Sequence, residues 1–261
     1  MSKRIKRLFT KYNANLIKEL VSAEFKTYEG NSILGILWSL LNPAVTLAIM
    51  FCVFEKKFGH HINYYPLFLL IGVIIVNFFI DATTNAFRSI FFNQNVILNT
   101  AIPREDLILV PIIVRTYKLL IEIFLCCLLS VFYGVFSWQF IFLALPLLAA
   151  LVGLMIGTNL VFSLLFCFAR DIEHIWRILS RLFLFITPVF YTLDQITPLF
   201  KSMVYWLNPL TPFLISLRQI IIWDNSLNML NYLYSLLLGF GLLIFGFFIF
   251  TLLENTAVEA L

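Results

Sequence analysis

Arg115, Lys118 and Glu122 are the residues of this sequence whose types and spacing most invite a chemical reading. They fall at i, i+3 and i+7, so a helix places all three on one face. Their surroundings are apolar, where a charge is costly and must face a protein interior, water or a partner. Two readings of the stripe are open. In one, Arg115 reaches back to the inner headgroups, about 12 Å of helix past Leu107, while Lys118 and Glu122 form a buried pair. In the other, the stripe lines a hydrated conduit or joins two subunits.

Bond-making chemistry finds less support. The sequence has no GxxxxGK[ST] phosphate loop and no GxGxxG, so no known glycine-rich cradle for a nucleotide is present. A GxSxG elbow and an HExxH zinc pair are missing as well. His60 and His61 are adjacent, do not share a helix face and read as solvated loop residues, and His174 stands near an inner helix end. Cys52, Cys126, Cys127 and Cys167 sit in apolar runs as small hydrophobes, without metal-ligand spacing. These patterns point to a chain with no catalytic residue, metal site or cofactor of its own.

The elements that must position the stripe follow from composition. Of 261 residues, 61% are hydrophobic and only 12% charged, against about 25% charged in a soluble domain. That balance excludes soluble, disordered, collagenous and disulfide-rich secreted classes and predicts an all-α polytopic membrane protein. Charge-free runs cover residues 33–54, 62–80, 123–169 and 225–253. About 20 residues cross a hydrocarbon core, so 123–169 must be two spans, broken near Gly134, Ser137 and Gln139. Residues 175–191, with Arg177 and Arg181 in the first two turns, supply a sixth transmembrane helix.

Orientation follows from Lys and Arg near the span ends. Lys3, Arg4, Lys6, Arg7, Lys11, Lys18, Lys26, Arg88, Arg104, Arg170, Arg177 and Arg181 fall on one side. Lys56, Lys57, Lys201 and Arg218 fall on the other. Both termini are therefore placed in the cytoplasm, with the chain in the cytoplasmic (inner) membrane. The net charge of +4 reflects this topology and anionic lipid, not nucleic acid.

Three segments are not ordinary spans or loops. In residues 1–29, Ile5, Leu8, Phe9, Tyr12, Leu16 and Leu20 recur at helical spacing among lysines, which predicts an amphipathic interface helix. It serves as a surface anchor or as a docking surface for a cytoplasmic partner. Residues 81–106 are polar but keep Phe87, Ile90, Phe91, Val96, Ile97 and Leu98, and read as short helical pieces joined by turns that need something to bury against. Residues 192–226 hold two apolar runs, 199–207 and 213–223, around Asn208, Pro209, Thr211 and Pro212. Each is too short to span, which predicts re-entrant outer half-helices between spans 5 and 6, with Tyr205, Trp206 and Trp223 at headgroup level.

Five runs in order carry a resemblance: GILWSLLNP at 35–43, NVILNTAIPRE at 95–105, FARDIEHI at 168–175, ITPVFY at 186–191 and NPLTPF at 208–213. With these the chain resembles the membrane subunit of ABC-2 type exporters of cell-surface polysaccharides, which move lipid-linked O-antigen, capsule or teichoic acid. The resemblance implies an interface helix at 1–29 and a six-span ABC-2 transmembrane domain at 30–261. It implies a homodimer joined by two copies of a cytoplasmic ABC ATPase, which would hold the ATP and Mg. Glu24, Phe25, Arg88, Asn95, Arg104, Glu105, Arg170 and Asp171 would couple to that ATPase, with 81–106 as coupling and gating segment. Arg115, Lys118 and Glu122, with Trp38, Phe78 and Phe79, would belong to the substrate path. Tyr191, Asn208, Pro209 and Pro212 would form the outer gate at 192–226. The alternatives are an ABC-2 exporter of a drug or other small hydrophobic molecule, and an ATP-independent channel or membrane enzyme of lipid carriers.

Overall fold

Backbone amides in long runs of Leu, Ile, Phe and Val have no water to bond, so the chain satisfies them within helices. The computed structural model describes residues 11–29, 35–59, 62–92, 104–222 and 227–259. Among them are α1 (Lys11–Glu29), α2 (Gly35–Phe58), α3 (Tyr65–Phe92), α4 (Arg104–Phe132) and α5 (Gln139–Phe168). These are followed by α6 (Asp171–Ile186), a 3-10 turn (Leu193–Gln195), α7 (Pro198–Leu207), α8 (Leu210–Ile221) and α9 (Met229–Glu259). The described residues contain no strand. Residues 1–10, His60, His61, Asn95 with the rest of 93–103, and Trp223 lie outside the described residues.

Three described helices are long and apolar enough to cross a membrane by themselves: α3 over Tyr65–Asn85, α5 over Ile141–Phe168 and α9 over Met229–Ala257. α4 and α6 are interrupted by the charges named above, and α8 is apolar but short. α3 is the central element, flanked by α2, α4, α5, α6 and α8. Consequently Leu67, Leu69, Leu70, Ile71, Ile74 and Ile75 are fully enclosed.

α5 and α9 form the most extensive helix pair. Lipid provides no hydrophobic drive between helices, so close packing of small residues has to hold them together. A Cβ on Gly157 would collide with the Leu242 carbonyl, one on Gly239 with the Ala150 carbonyl, and one on Gly246 with the Gly157 backbone.

Several boundaries follow the sequence reading. The apolar run 123–169 breaks between α4 and α5, where Gly134 adopts φ 70° and its N–H donates to Val131 O at 3.0 Å. A residue without Cβ takes this left-handed conformation at little cost. The outer segment divides into α7 and α8 on either side of Asn208 and Pro209. Two boundaries differ. α6 stops at Ile186 and the chain bends through Thr187–Tyr191, because Thr187 precedes Pro188 and is extended at φ −69°, ψ 136°. α3 continues unbroken from Tyr65 to Phe92, so residues 81–92 prolong that helix and do not form separate pieces; no Gly or Pro interrupts them.

Candidate functional site

The charged stripe on α4 meets partners from two other helices. α3 contributes Asp81, the only Asp, Glu, Lys or Arg between Lys57 and Arg88, and α1 contributes Glu24. Lys118 Nζ lies 3.2 Å from Asp81 Oδ2 and 3.8 Å from Glu122 Oε1. Arg115 Nε donates to the Asp81 carbonyl at 3.2 Å and Nη1 to the Pro111 carbonyl at 2.8 Å. The same Nη1 is 3.8 Å from Glu24 Oε1. Arg115 and Glu122 are each 3% exposed. Arg115 is therefore held inside the α1–α3–α4 junction.

Two cations facing three carboxylates compensate charge that would otherwise be costly at this depth. Phe25 of α1 packs edge-to-face on Tyr117 of α4, centroids 5.5 Å apart, beside the Glu24 contact. A narrow crevice at the junction is lined by Phe78, Asp81, Arg115, Lys118, Leu119 and Glu122. The pairing of Lys118 with Asp81 was absent from the sequence reading. Its signal was available, since an isolated acid in one apolar run calls for a cation from another.

The other proposed path aromatic, Phe79, stacks on Phe183 at 5.0 Å and meets Trp176 edge-on at 5.8 Å. Trp176 Nε1 donates to Thr83 Oγ1 at 3.1 Å. Phe79 thus belongs to the buried aromatic layer joining α3 to α6. Trp38 and Arg88 lie on α2 and α3, and their side chains are outside the described residues.

At the opposite end of α3, a second site gathers around Arg218, which the sequence reading counted as an outer-face charge. Arg218 is 3% exposed and lies with its guanidinium carbon 3.3 Å from the Phe68 ring centroid. It donates to the carbonyls of Phe68 at 3.2 and 3.0 Å, Pro188 at 2.6 Å and Val189 at 2.9 Å. The cause is local: the bend after α6 leaves buried carbonyls without helical donors, and a planar five-donor group serves several at once. Gly72 makes room, since a Cβ there would lie 2.9 Å from both Arg218 Nη2 and Val189 Cγ1. No sequence signal distinguished Arg218 from a solvated arginine.

The outer-gate candidates belong to this same knot. Asn208 Nδ2 donates to Thr187 Oγ1 at 2.7 Å, and its Oδ1 accepts from Leu210 N–H at 3.0 Å. The Tyr191 hydroxyl donates to the Ile186 carbonyl at 3.1 Å. Pro209 caps α8, and the Pro212 carbonyl accepts from Asn231 Nδ2 at 3.1 Å, tying α8 to α9.

The remaining coupling candidates lie at helix ends. Arg104 Nη1 donates to the Glu254 carbonyl and to Asn255 Oδ1, both at 3.1 Å, and so fastens the start of α4 to the end of α9. Glu105 is buried, as is Asp106, whose two carboxylate oxygens have no hydrogen-bond partner. Burial, with Glu105 adding to it, pushes the Asp106 carboxyl up to about 6. Arg170 caps α6 and Asp171 stands exposed in its first turn.

Over 259 residues the chain is 29% identical to the O-antigen export system permease protein RfbA of Klebsiella pneumoniae, covering 96% of each chain. A second Klebsiella pneumoniae protein of that name is 28% identical with the same coverage. The Myxococcus xanthus protein of that name is 25% identical over 219 residues, 83% of this chain and 84% of its own. The model of the family described as ABC-2 type transporter matches residues 15–222, a stretch that holds α4 with its charged stripe and the Arg218 knot. The chain belongs to the ABC-2 type transporter family.

Proposed function

We propose that this chain is the transmembrane subunit of an ATP-driven exporter of a lipid-linked cell-surface polysaccharide, of the O-antigen class. The observation that carries the reading is the end-to-end similarity to O-antigen export permeases, at 29% identity over 96% of both chains. In this reading two copies form the path, each crossing the cytoplasmic membrane six times with both termini inside. Two cytoplasmic ATPase subunits supply the energy and hold ATP and Mg.

The charged junction supports a specific coupling route. A cytoplasmic partner that moves α1 acts directly on Arg115 and Tyr117 through Glu24 and Phe25, and so on α4. The same junction includes Asp81 on α3, so α1, α3 and α4 respond as a unit. At the outer end the Arg218 knot keeps the short helices α7 and α8 registered on α3. The outer half-helices thereby follow α3 when its inner end is displaced.

The test is to purify the chain together with the ATPase encoded beside it. A stable assembly of two copies of each, hydrolysing ATP and required for glycan display at the cell surface, is the expected result. A chain that binds no ATPase, or glycan display that persists when the partner's ATP site is disabled, would overturn the reading. Charge reversal at Arg104 or Glu105 should impair coupling while membrane insertion is retained.

A further inference from the structure

Hydrocarbon offers no water to a buried amide, so a polar side-chain atom at membrane depth has to find its partner in the protein. Among the described residues, the Asp106 carboxylate and Asn159 Oδ1 are the buried side-chain groups that have none. Of the two, Asn159 lies within an apolar span, that of α5, and is 1% exposed. Its Nδ2 donates to the Ala82 carbonyl of α3 at 3.3 Å, a group inside a helix that already has a helical partner. A leucine is similar in size and leaves no unpaired oxygen, so packing does not account for an asparagine here.

A donor stands close by. Trp176 of α6 enters the seam between α3 and α5, its ring centroid 4.8 Å from that of Phe162 on α5 and 5.8 Å from that of Phe79 on α3. The indole has a single N–H, and Nε1 gives it to Thr83 Oγ1 at 3.1 Å. Asn159 reaches the same level of the seam from α5. Its Nδ2 meets the carbonyl of the residue before Thr83, and it stands about one turn before Phe162 on the same helix face. One donor from α6 thus has two acceptors beside it, Thr83 on α3 and Asn159 on α5, and serves only the first.

We propose that Thr83 and Asn159 are alternative acceptors for the Trp176 indole, forming a two-position latch that holds α6 to α3 in this structure and to α5 in a second conformation. The second position strands neither partner, because Thr83 Oγ1 keeps its own bond to the Phe79 carbonyl at 2.7 Å. Phe79 and Phe87 of α3, Phe162 of α5 and Phe183 of α6 surround the indole, so it stays enclosed as it changes acceptor. Two discrete acceptors give two discrete placements of α6, the kind of element whose equilibrium a distant site can bias. Use of the second position during transport rests on the function proposed above, whereas the latch itself does not.

The experiment is a double-mutant cycle on the full chain in detergent, read as the thermal midpoint. Asn159→Leu removes the unpaired oxygen and should raise the midpoint by about 2–6 °C. Thr83→Val alone should lower it little, because the indole passes to Asn159. In the Asn159→Leu background the same change should lower it by at least about 3 °C more, because no acceptor remains. Adding Trp176→Phe removes the donor and should restore most of that extra loss, including the case in which the double variant is too unstable to purify. A lower midpoint for Asn159→Leu would make Asn159 a plain tie between α3 and α5. Additive effects of Thr83→Val and Asn159→Leu, or no recovery with Trp176→Phe, would leave the indole with one acceptor; any of these results overturns the proposal. Glycan display is scored separately and should fall in Asn159→Leu while ATPase binding is retained. Unchanged display beside a non-additive cycle would overturn the latch's role in transport, and a wild-type chain that binds no ATPase would overturn the function proposed above and leave the cycle standing.

Discussion

Replacing Arg218 by methionine isolates the contribution of a buried cation that has no carboxylate partner among the described residues. Arg218 serves three carbonyls, but the losses differ in kind. Phe68 lies inside α3, where its carbonyl keeps a helical partner, whereas Pro188 and Val189 follow the end of α6 and rely on the guanidinium. Two buried acceptors left unpaired cost about 1–3 kcal/mol each. Removing a desolvated charge recovers part of that, leaving a net loss of about 2–4 kcal/mol. At roughly 2–4 °C per kcal/mol for a chain of this size, the midpoint should fall by about 4–16 °C. Thermal unfolding of purified protein, followed by a thiol-reactive dye, suits the measurement because Cys126 and Cys167 are buried. Scan rate must be held constant, since membrane-protein melts are commonly irreversible. Arg218→Gln, which keeps an amide donor, should fall between methionine and wild type. A methionine variant melting within about 1 °C of wild type would refute the argument, as would glutamine proving worse than methionine.

Three other outcomes follow from the packing and electrostatics. Gly157→Val or Gly246→Leu should separate α5 from α9 and abolish stable purification, whereas Gly241→Ala, where nothing lies within 4 Å of an added Cβ, should be tolerated; equal yields of all three would contradict the packing. Lys118→Met strands Asp81 and Glu122 and should cost about 3–5 kcal/mol, with Lys118→Met/Glu122→Gln recovering much of it in the same melt; no recovery would sink the pairing. The Asp106 carboxyl is raised from 3.8 to about 6, so the folded state binds its proton more readily and this group adds stability as pH falls from about 7 to 4. The gain is at most about 3 kcal/mol at about 1.4 kcal/mol per unit, and Asp106→Asn should flatten the wild-type pH profile in that window; an unchanged profile would contradict the burial effect.

Much of the architecture is legible in the sequence. Runs of apolar residues too long for a soluble core required helices, since no other open structure satisfies backbone amides without water. The α4–α5 break at Gly134 and the α7–α8 break at Asn208 and Pro209 were visible because Gly and Asn-Pro act on the local backbone. The bend after Ile186 was missed because apolar content continues through Val189, Phe190 and Tyr191 while Pro188 stops the helix. The continuation of α3 to Phe92 was missed for the converse reason, since polar residues suggested a loop where nothing prevented helix.

At the charged stripe, sequence spacing placed Arg115, Lys118 and Glu122 on one face but left two readings open. Only the packing of α1 and α3 onto α4 supplied the partners of the stripe, Glu24 and Asp81. Glu24, Asp81 and Arg115 are far apart in the chain, and no local periodicity records which helices will adjoin. Arg218 shows the same division more sharply. Its identity and its short helix were written in the sequence, while its burial depended on Gly72 leaving a notch and on the α6 bend supplying unpaired carbonyls. The sequence by itself determined a membrane-embedded helical chain that carries no known glycine-rich nucleotide motif, because composition and local backbone chemistry suffice for that. Which charges neutralise one another was decided only by tertiary structure, because compensation of charge in a low-dielectric interior depends on distances between helices.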